Sequence, residues 1–413
     1  MKTTFWFILI FFFVACACDK TETTPGETDK LPEKSAQLIE ADNTFGLELF
    51  SRAAAIAKTN ENTLVSPLSV SLALAMTYNG AQGQTKTDME KTLKLAGLTS
   101  EQINSAYQSL VAALQSSDPD VLLEMANAIY FRQGFTVLPD FISVNQKYYN
   151  AAVNALDFGS PHAVNTINAW VAQKTKDKIP TIINQIESDL VMILLNAVYF
   201  NGIWKYKFDD QNTRNLTFRL ENGTTKETPM MNQEASLEYL SNSLFSAVNL
   251  PYGKGQFQMT VILPKENKTT ADVISELNME NWRTWMKSFK TEKKVEVTMP
   301  RFKFAWELKL NQLLTDMGMG SAFSSVAADF SGINKDRDLY IGYVIHKTYV
   351  DVNENGTEAA AVTAVGIFIT SAPPTDLQKI YFTVDRPFLF TITEKSTGAI
   401  LFIGEVTNPE YVI

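Results

Sequence analysis

Few residues in this chain could do chemistry. His162 and His346 are the two histidines, and Cys16 and Cys18 the two cysteines. A nucleophilic centre would need a serine or cysteine beside a histidine, and no G-x-S-x-G turn places one. A histidine- and cysteine-based zinc site lacks ligands, and no H-E-x-x-H, C-x-x-C or G-x-x-x-x-G-K-[ST] pattern occurs. His162 follows Ser160-Pro161 and reads as a surface histidine at a helix start. His346, in YIGYVIHKTYVDV, reads as a hydrogen-bonded core histidine in an alternating strand. No carboxylate pair stands out as a dyad. The stretch that does stand out is DVNENGTEAAAVTAVG, Asp351 to Gly366. Its start imitates a calcium loop, with Asp351, Asn353 and Asn355 at the first, third and fifth positions and Gly356 at the sixth. The twelfth position, where such a loop needs a bidentate glutamate, is Val362. The expectation is therefore no metal, no cofactor and no enzyme.

What remains is the alanine tract. No proline interrupts the chain from Glu354 through Ala372, so every backbone N–H there can join a sheet ladder. As a strand, Thr357, Ala359, Ala361 and Thr363 would share one face, all small enough to slide beneath covering elements. Alanine has little strand preference of its own. The tract is free to enter a sheet but is not held there by local preference, which is what a conditional strand requires.

The elements that must position it are legible as patterns. The 413 residues are 45% hydrophobic and 20% charged, enough for one large core, and no Gly/Pro-rich linker divides the body. Net charge is −9 without a basic block, so nucleic acid and heparin-type polyanions are not expected as partners. Leu38, Phe45, Leu49 and Ala53 recur at helical spacing between Ser35 and Lys58. Ser66-Pro67 starts a helix that Asn79-Gly80 ends, and its apolar residues run all round it, which predicts burial. Further helical patterns cover about 85–95, 101–115, 139–149 and 163–178. VLLEMANAIYF and LVMILLNAVYFNGIW read as strands covered on both faces, sharing N-A-[Ile/Val]-Y-F as neighbours in one sheet could. After residue 210 the pattern is strand-rich, with hairpins at Gly253-Lys254-Gly255 and Ser396-Thr397-Gly398. Helices first and antiparallel strands later argue an α+β class.

The N-terminus reads as an export signal. The apolar run from Phe5 to Ala17 is shorter than the ~20 residues a spanning helix needs. It ends in FVAC and ACDK, which resemble a bacterial lipobox, with Cys16 as the lipidated residue and Cys18 as the alternative. The expectation is a signal over 1–15, a flexible tether over 16–37 and a globular body over 38–413. Such a protein would be exported and lipid-anchored to a bacterial membrane, the outer one by preference, facing periplasm or cell surface. With both cysteines in the leader, the body has no disulfide.

Glu354-Asn355-Gly356-Thr357-Glu358-Ala359-Ala360-Ala361 resembles the hinge of inhibitory serpins. Further motifs agree in order along residues 40–410: N-T-L-V-S-P-L-S-V, N-A-V-Y-F-N-G-I-W, V-T-M-P-R-F-K, M-G-M-G-S-A-F, A-D-F-S-G-I, V-I-H-K and D-R-P-F-L-F…G-A-I-L-F-I-G-E-V-T-N-P. The resemblance implies three β-sheets with eight or nine helices. It implies an exposed reactive loop, about 354–377, between a strand near 340–352 and one near 378–384. It also implies a monomer whose partner is a target serine protease, trapped as an acyl-enzyme when the cut loop inserts as a new strand. By the same resemblance Ser66, Ser69, Asn196 and His346 form a polar shutter beneath the sheet, and Trp204 marks where the loop enters. Spacing from Glu354 places the scissile bond at Thr370-Ser371, with Phe368-Ile369 and Ile369-Thr370 as neighbours and Ala372-Pro373 disfavoured by its proline. AVGIFITSA suits elastase-, subtilisin- or chymotrypsin-like pockets, and cysteine proteases are a secondary target class. The alternative within the family is a non-inhibitory member that binds or is merely cut.

Overall fold

The computed structural model describes residues 31–336, 339–358 and 379–411. The first helix, α1 (Ser35–Ala55), starts inside the stretch read as tether. Ser35 is fully buried, and the Gln37 side-chain amide donates to the Ala96 carbonyl, so the body holds these residues in place. β1 (Thr63–Val65) leads to α2 (Pro67–Tyr78), in which every residue but Ala73 is buried. Lying against α1 and both sheets, α2 has no solvent face to make polar. Then come α3 (Gly83–Thr92) and α4 (Ser100–Ser116). In α4 a capping box between Thr99 and Gln102 satisfies two amides at its start.

The sheet that matters for function has six strands. They are β2 (Val121–Arg132), β3 (Ala152–Leu156), β4 (Met192–Ile203), β10 (Phe302–Lys309), β11 (Ile345–Asn353) and the two-residue β12 (Gly356–Thr357). Their spatial order is β10-β11-β12-β4-β2-β3. The two strands sharing N-A-x-Y-F are antiparallel neighbours, with Asn127 opposite Asn196. Helices α5 (Pro139–Tyr149) and α6 (Ala163–Lys174) flank β3 in the chain.

The second sheet contains β1, β5 (Arg214–Arg219), β6 (Thr225–Ser241), β7 (Phe245–Pro251), β8 (Phe257–Pro264), β9 (Lys290–Pro300), β13 (Ile380–Thr383), β14 (Phe388–Glu394) and β15 (Ile400–Val406). Its long strand β6 serves two partnerships. The first half carries β5, the last residues carry β7, and β9 spans a bulge between Ala235 and Leu237. Twist and bulge let one strand belong to two sheet portions, so the three-sheet arrangement has its second and third sheets joined through β6. Helices α7 (Thr270–Ser275) and α8 (Met279–Ser288) interrupt the strand-rich half, and α9 (Asn311–Leu314) follows β10. The main core lies between the two sheets, filled by Phe257, Phe388 and Phe390 beneath α1 and α2.

Candidate functional site

β11 ends at Asn353, the chain turns through Glu354 and Asn355, and Gly356-Thr357 re-enter the same sheet as β12. β12 is antiparallel to β11 on one side and to β4 on the other, with Thr357 opposite Val352 and Gly202. It is the only described strand between β4 and β11, and no described residue pairs those two directly.

The turn is tied down at several points. The Glu354 carboxylate is buried, paired with the Arg301 guanidinium and hydrogen-bonded by the Thr213 hydroxyl. Backbone amides of Phe208 and Trp204 donate to the carbonyls of Glu354 and Asn355 at 3.2 and 2.9 Å. The Trp204 indole donates to the Asn353 carbonyl at 2.8 Å, and its ring stacks on Tyr252 at 4.3 Å between centroids. Gly356 holds φ +151°, and a Cβ there would lie 2.0 Å from the Gly202 carbonyl oxygen, so β12 and β4 approach as only glycine allows.

Thr357 faces inward. It is 3% exposed, and its hydroxyl lies 2.6 Å from the Tyr252 hydroxyl, itself fully buried. Burial pushes the Tyr252 phenol upward, so it stays protonated and can donate. Glu358 faces the other way, toward Tyr199, and burial pushes its carboxyl up to about 7. Hinge residues Ala359, Ala360 and Ala361 lie outside the described residues, as do the scissile candidates Thr370, Ser371, Phe368 and Ile369.

Farther down the sheet a cavity of about 430 Å³ lies among Met192–Asn196 of β4, the segment leading into β11 and the α2 face. Ser69, Asn196 and His346 line it together. His346 accepts a hydrogen bond from the Ser66 amide at Nε2, 3.0 Å away, and burial pulls its imidazole down to about 4. Asn196 instead donates to Asn127 at 2.8 Å, and Asn127 donates to the Tyr149 carbonyl. Three of the four residues expected as one shutter network, Ser69, Asn196 and His346, thus share one cavity, while the hydrogen bonds fall into two separate pairs, Ser66 with His346 and Asn196 with Asn127. The Ser66 hydroxyl and the Asn196 carbonyl oxygen are buried without a hydrogen-bond partner among the described residues. His162 is exposed beside α6, outside this site.

Sequence reasoning gave no role to Tyr252, Thr213, Asn127 or Asn201. Arg301 stood inside a quoted motif, V-T-M-P-R-F-K, without one. Nothing local marks Tyr252, which lies 105 residues from the threonine it contacts.

Residues 40–409 match the family model for Serpin (serine protease inhibitor). The chain belongs to the serpin family. This serpin is 35% identical to the human leukocyte elastase inhibitor over 387 residues, covering 90% of this chain and 100% of that one. An uncharacterised serpin-like protein of Thermococcus kodakarensis is also 35% identical, over 90% of this chain and 86% of its own. Among solved structures, native tengpin, a thermophilic serpin, superposes with a TM-score of 0.82 at 33% identity, covering 90% and 94% of the two chains. Human thyroxine-binding globulin complexed with its hormone superposes at 0.81 with 27% identity, over 92% of this chain and 100% of that one. The fold is shared by an elastase inhibitor and a thyroxine-binding globulin, so the architecture alone does not distinguish their activities.

Proposed function

We propose that this serpin is a suicide inhibitor of elastase-, subtilisin- or chymotrypsin-like serine proteases, with cysteine proteases as secondary targets. The protease serine attacks the Thr370 carbonyl, the peptide bond to Ser371 breaks, and the acyl-enzyme remains on the hinge side of the cut loop. That side then enters the sheet between β11 and β4, dragging the protease with it. Ladder bonds contribute ~0.5–1.5 kcal/mol each, against ~1–2 kcal/mol per residue for ordering the loop. Hydrogen bonds alone roughly cancel that cost, so burial of the small inward side chains must tip the balance.

The observation that supports this best is the seat of Gly356-Thr357, already aligned antiparallel to both flanking strands. A strand continuing from it would keep that register. The similarity to the leukocyte elastase inhibitor supports the target class. The test is to mix the protein with pancreatic elastase and run a denaturing gel. A band heavier than either partner is expected; a nicked product alone would leave only a binding protein or sacrificial substrate. Mass spectrometry of the released C-terminal peptide identifies the cut bond. We propose too that the mature chain begins at lipidated Cys16, or at Cys18, which mass spectrometry of the membrane fraction tests.

A further inference from the structure

β12 ends at Thr357, and the next residue decides whether the strand continues. Glu358 holds φ +57°, a left-handed conformation that a non-glycine residue rarely adopts. Its amide donates to the Asp351 carbonyl at 2.8 Å, and its own carbonyl accepts from the Asn201 side chain. The backbone has found its next ladder partner on β11, yet the chain bends out of the sheet there.

The register shows what an extended Glu358 would meet. Thr357 lies opposite Val352 on β11 and Gly202 on β4, so the following position lies opposite Asp351 and Asn201. Directly opposed residues share a face, and like charges so placed are destabilising. Extension therefore sets the Glu358 carboxyl beside that of Asp351. The other groups facing this spot do not remove the conflict. Lys303 of β10 is already ion-paired with Asp351 at 3.6 Å. Lys178, beyond α6 and over the Tyr349 ring of β11, attracts the Glu358 carboxylate, as Lys303 does, but burial outweighs them and leaves the carboxyl raised. Tyr199 of β4 offers one hydroxyl, the Tyr349 hydroxyl donates to Asp351 at 3.3 Å, Glu124 of β2 is paired with Lys176, and Arg301, over the Tyr411 ring, is paired with Glu354. One Glu358 carboxylate oxygen is buried with no hydrogen-bond partner among the described residues.

We infer that Asp351 and Glu358 form a proton-dependent gate on loop insertion. While the Glu358 carboxyl is ionised the strand halts at Thr357, and a proton on it lets the strand pass Asp351. This rests on the inhibitory reading above. Burial and Asp351 already raise the Glu358 carboxyl in the halted state. The inserted state, with the two groups opposed, binds the proton more tightly still, so falling pH favours insertion.

The test compares the wild-type protein with Asp351→Asn and Glu358→Gln against pancreatic elastase at pH about 8 and about 5.5, which bracket the carboxyl's titration. The readout is the ratio of covalent complex to nicked product. The protease's own pH response is common to all three proteins and drops out of the comparison. Each amide variant should exceed the wild type by about two- to five-fold at the higher pH, the spread expected of an opposed like-charge pair, and match it at the lower. Equal ratios for all three at both pH values would overturn the gate while leaving the inhibitory function standing. If no covalent complex forms at all, the inhibitory reading fails instead. The gate is then read from the rate at which the nicked protein gains heat resistance. Equal rates in the three proteins, or no gain in any, would overturn it.

Discussion

Thr357 is where the size of a single side chain decides the fate of the loop. Its hydroxyl is buried against Tyr252, beneath the stacked Trp204 ring. Thr357→Arg would place a charge in that pocket with no carboxylate to meet it, at a cost of several kcal/mol. The seat would empty, and elastase should then release nicked protein with less than about a tenth of the wild-type covalent complex, the loss that ~1.4 kcal/mol produces. Undiminished complex on a denaturing gel would mean that Thr357 does not enter the sheet. The inward facing of this residue was legible because strand alternation is a local property. Its partner was not, because Tyr252 and Arg301 come to the hinge through sheet pairing between segments far apart in sequence.

β12 has two residues, and one of them is Gly356. Its positive φ and its approach to the Gly202 carbonyl leave no room for a methyl group. Gly356→Ala should speed unfolding of the intact protein in denaturant by about ten- to a hundredfold, the factor that a strain of ~1–3 kcal/mol produces. An unchanged unfolding rate would show that the seat contributes nothing to the uncut fold. At this scale the sequence was informative wherever a pattern was long and one-sided. The nearly all-apolar α2 followed from burial on every face, but the paired strands β2 and β4 are less covered than expected: β4 largely alternates buried with half-buried residues, and Leu122 of β2 is exposed. The joining of two sheet portions through β6 did not follow from any pattern, since a bulge is one residue in a seventeen-residue strand and leaves no periodic trace. The amphipathic helices α7 and α8 were also hidden, because a six- and a ten-residue helix give too few turns to outweigh the strands around them. Ser35 to Gln37 looked like tether because their anchors, such as the Ala96 carbonyl, lie in another loop.

Across the whole molecule, stability is a balance that pH should tilt in two directions at once. Because an uncut serpin that gains from insertion is held kinetically, the loop-nicked form is the one to titrate. His346 is buried and its folded pKa is about 4, below the unfolded value of 6.5. It contributes stability above pH ~6.5, lost as pH falls toward ~4, because only the unfolded chain readily takes the proton. Asp42 does the opposite. It is buried on α1, accepts from the Tyr107 hydroxyl at 2.6 Å, and its carboxyl is raised to about 7. Its stabilising contribution is complete below the unfolded carboxylate pKa and is lost as pH rises through the folded value. Between pH ~4 and ~6.5 the His346 and Asp42 slopes oppose, so the effect of Asp42 is read from the difference between wild type and a variant that lacks its titration. Asp42→Asn keeps an acceptor for Tyr107 and removes only the titration. The variant should be more stable than wild type at pH ~8, and that advantage should shrink on acidification by a few kcal/mol over the window. Glu405, also raised by burial to about 7, is present in both proteins and cancels from the difference. Calorimetry at several pH values decides it: parallel profiles would mean that Asp42 does not titrate differently in the folded protein, and that the acid response belongs to groups elsewhere.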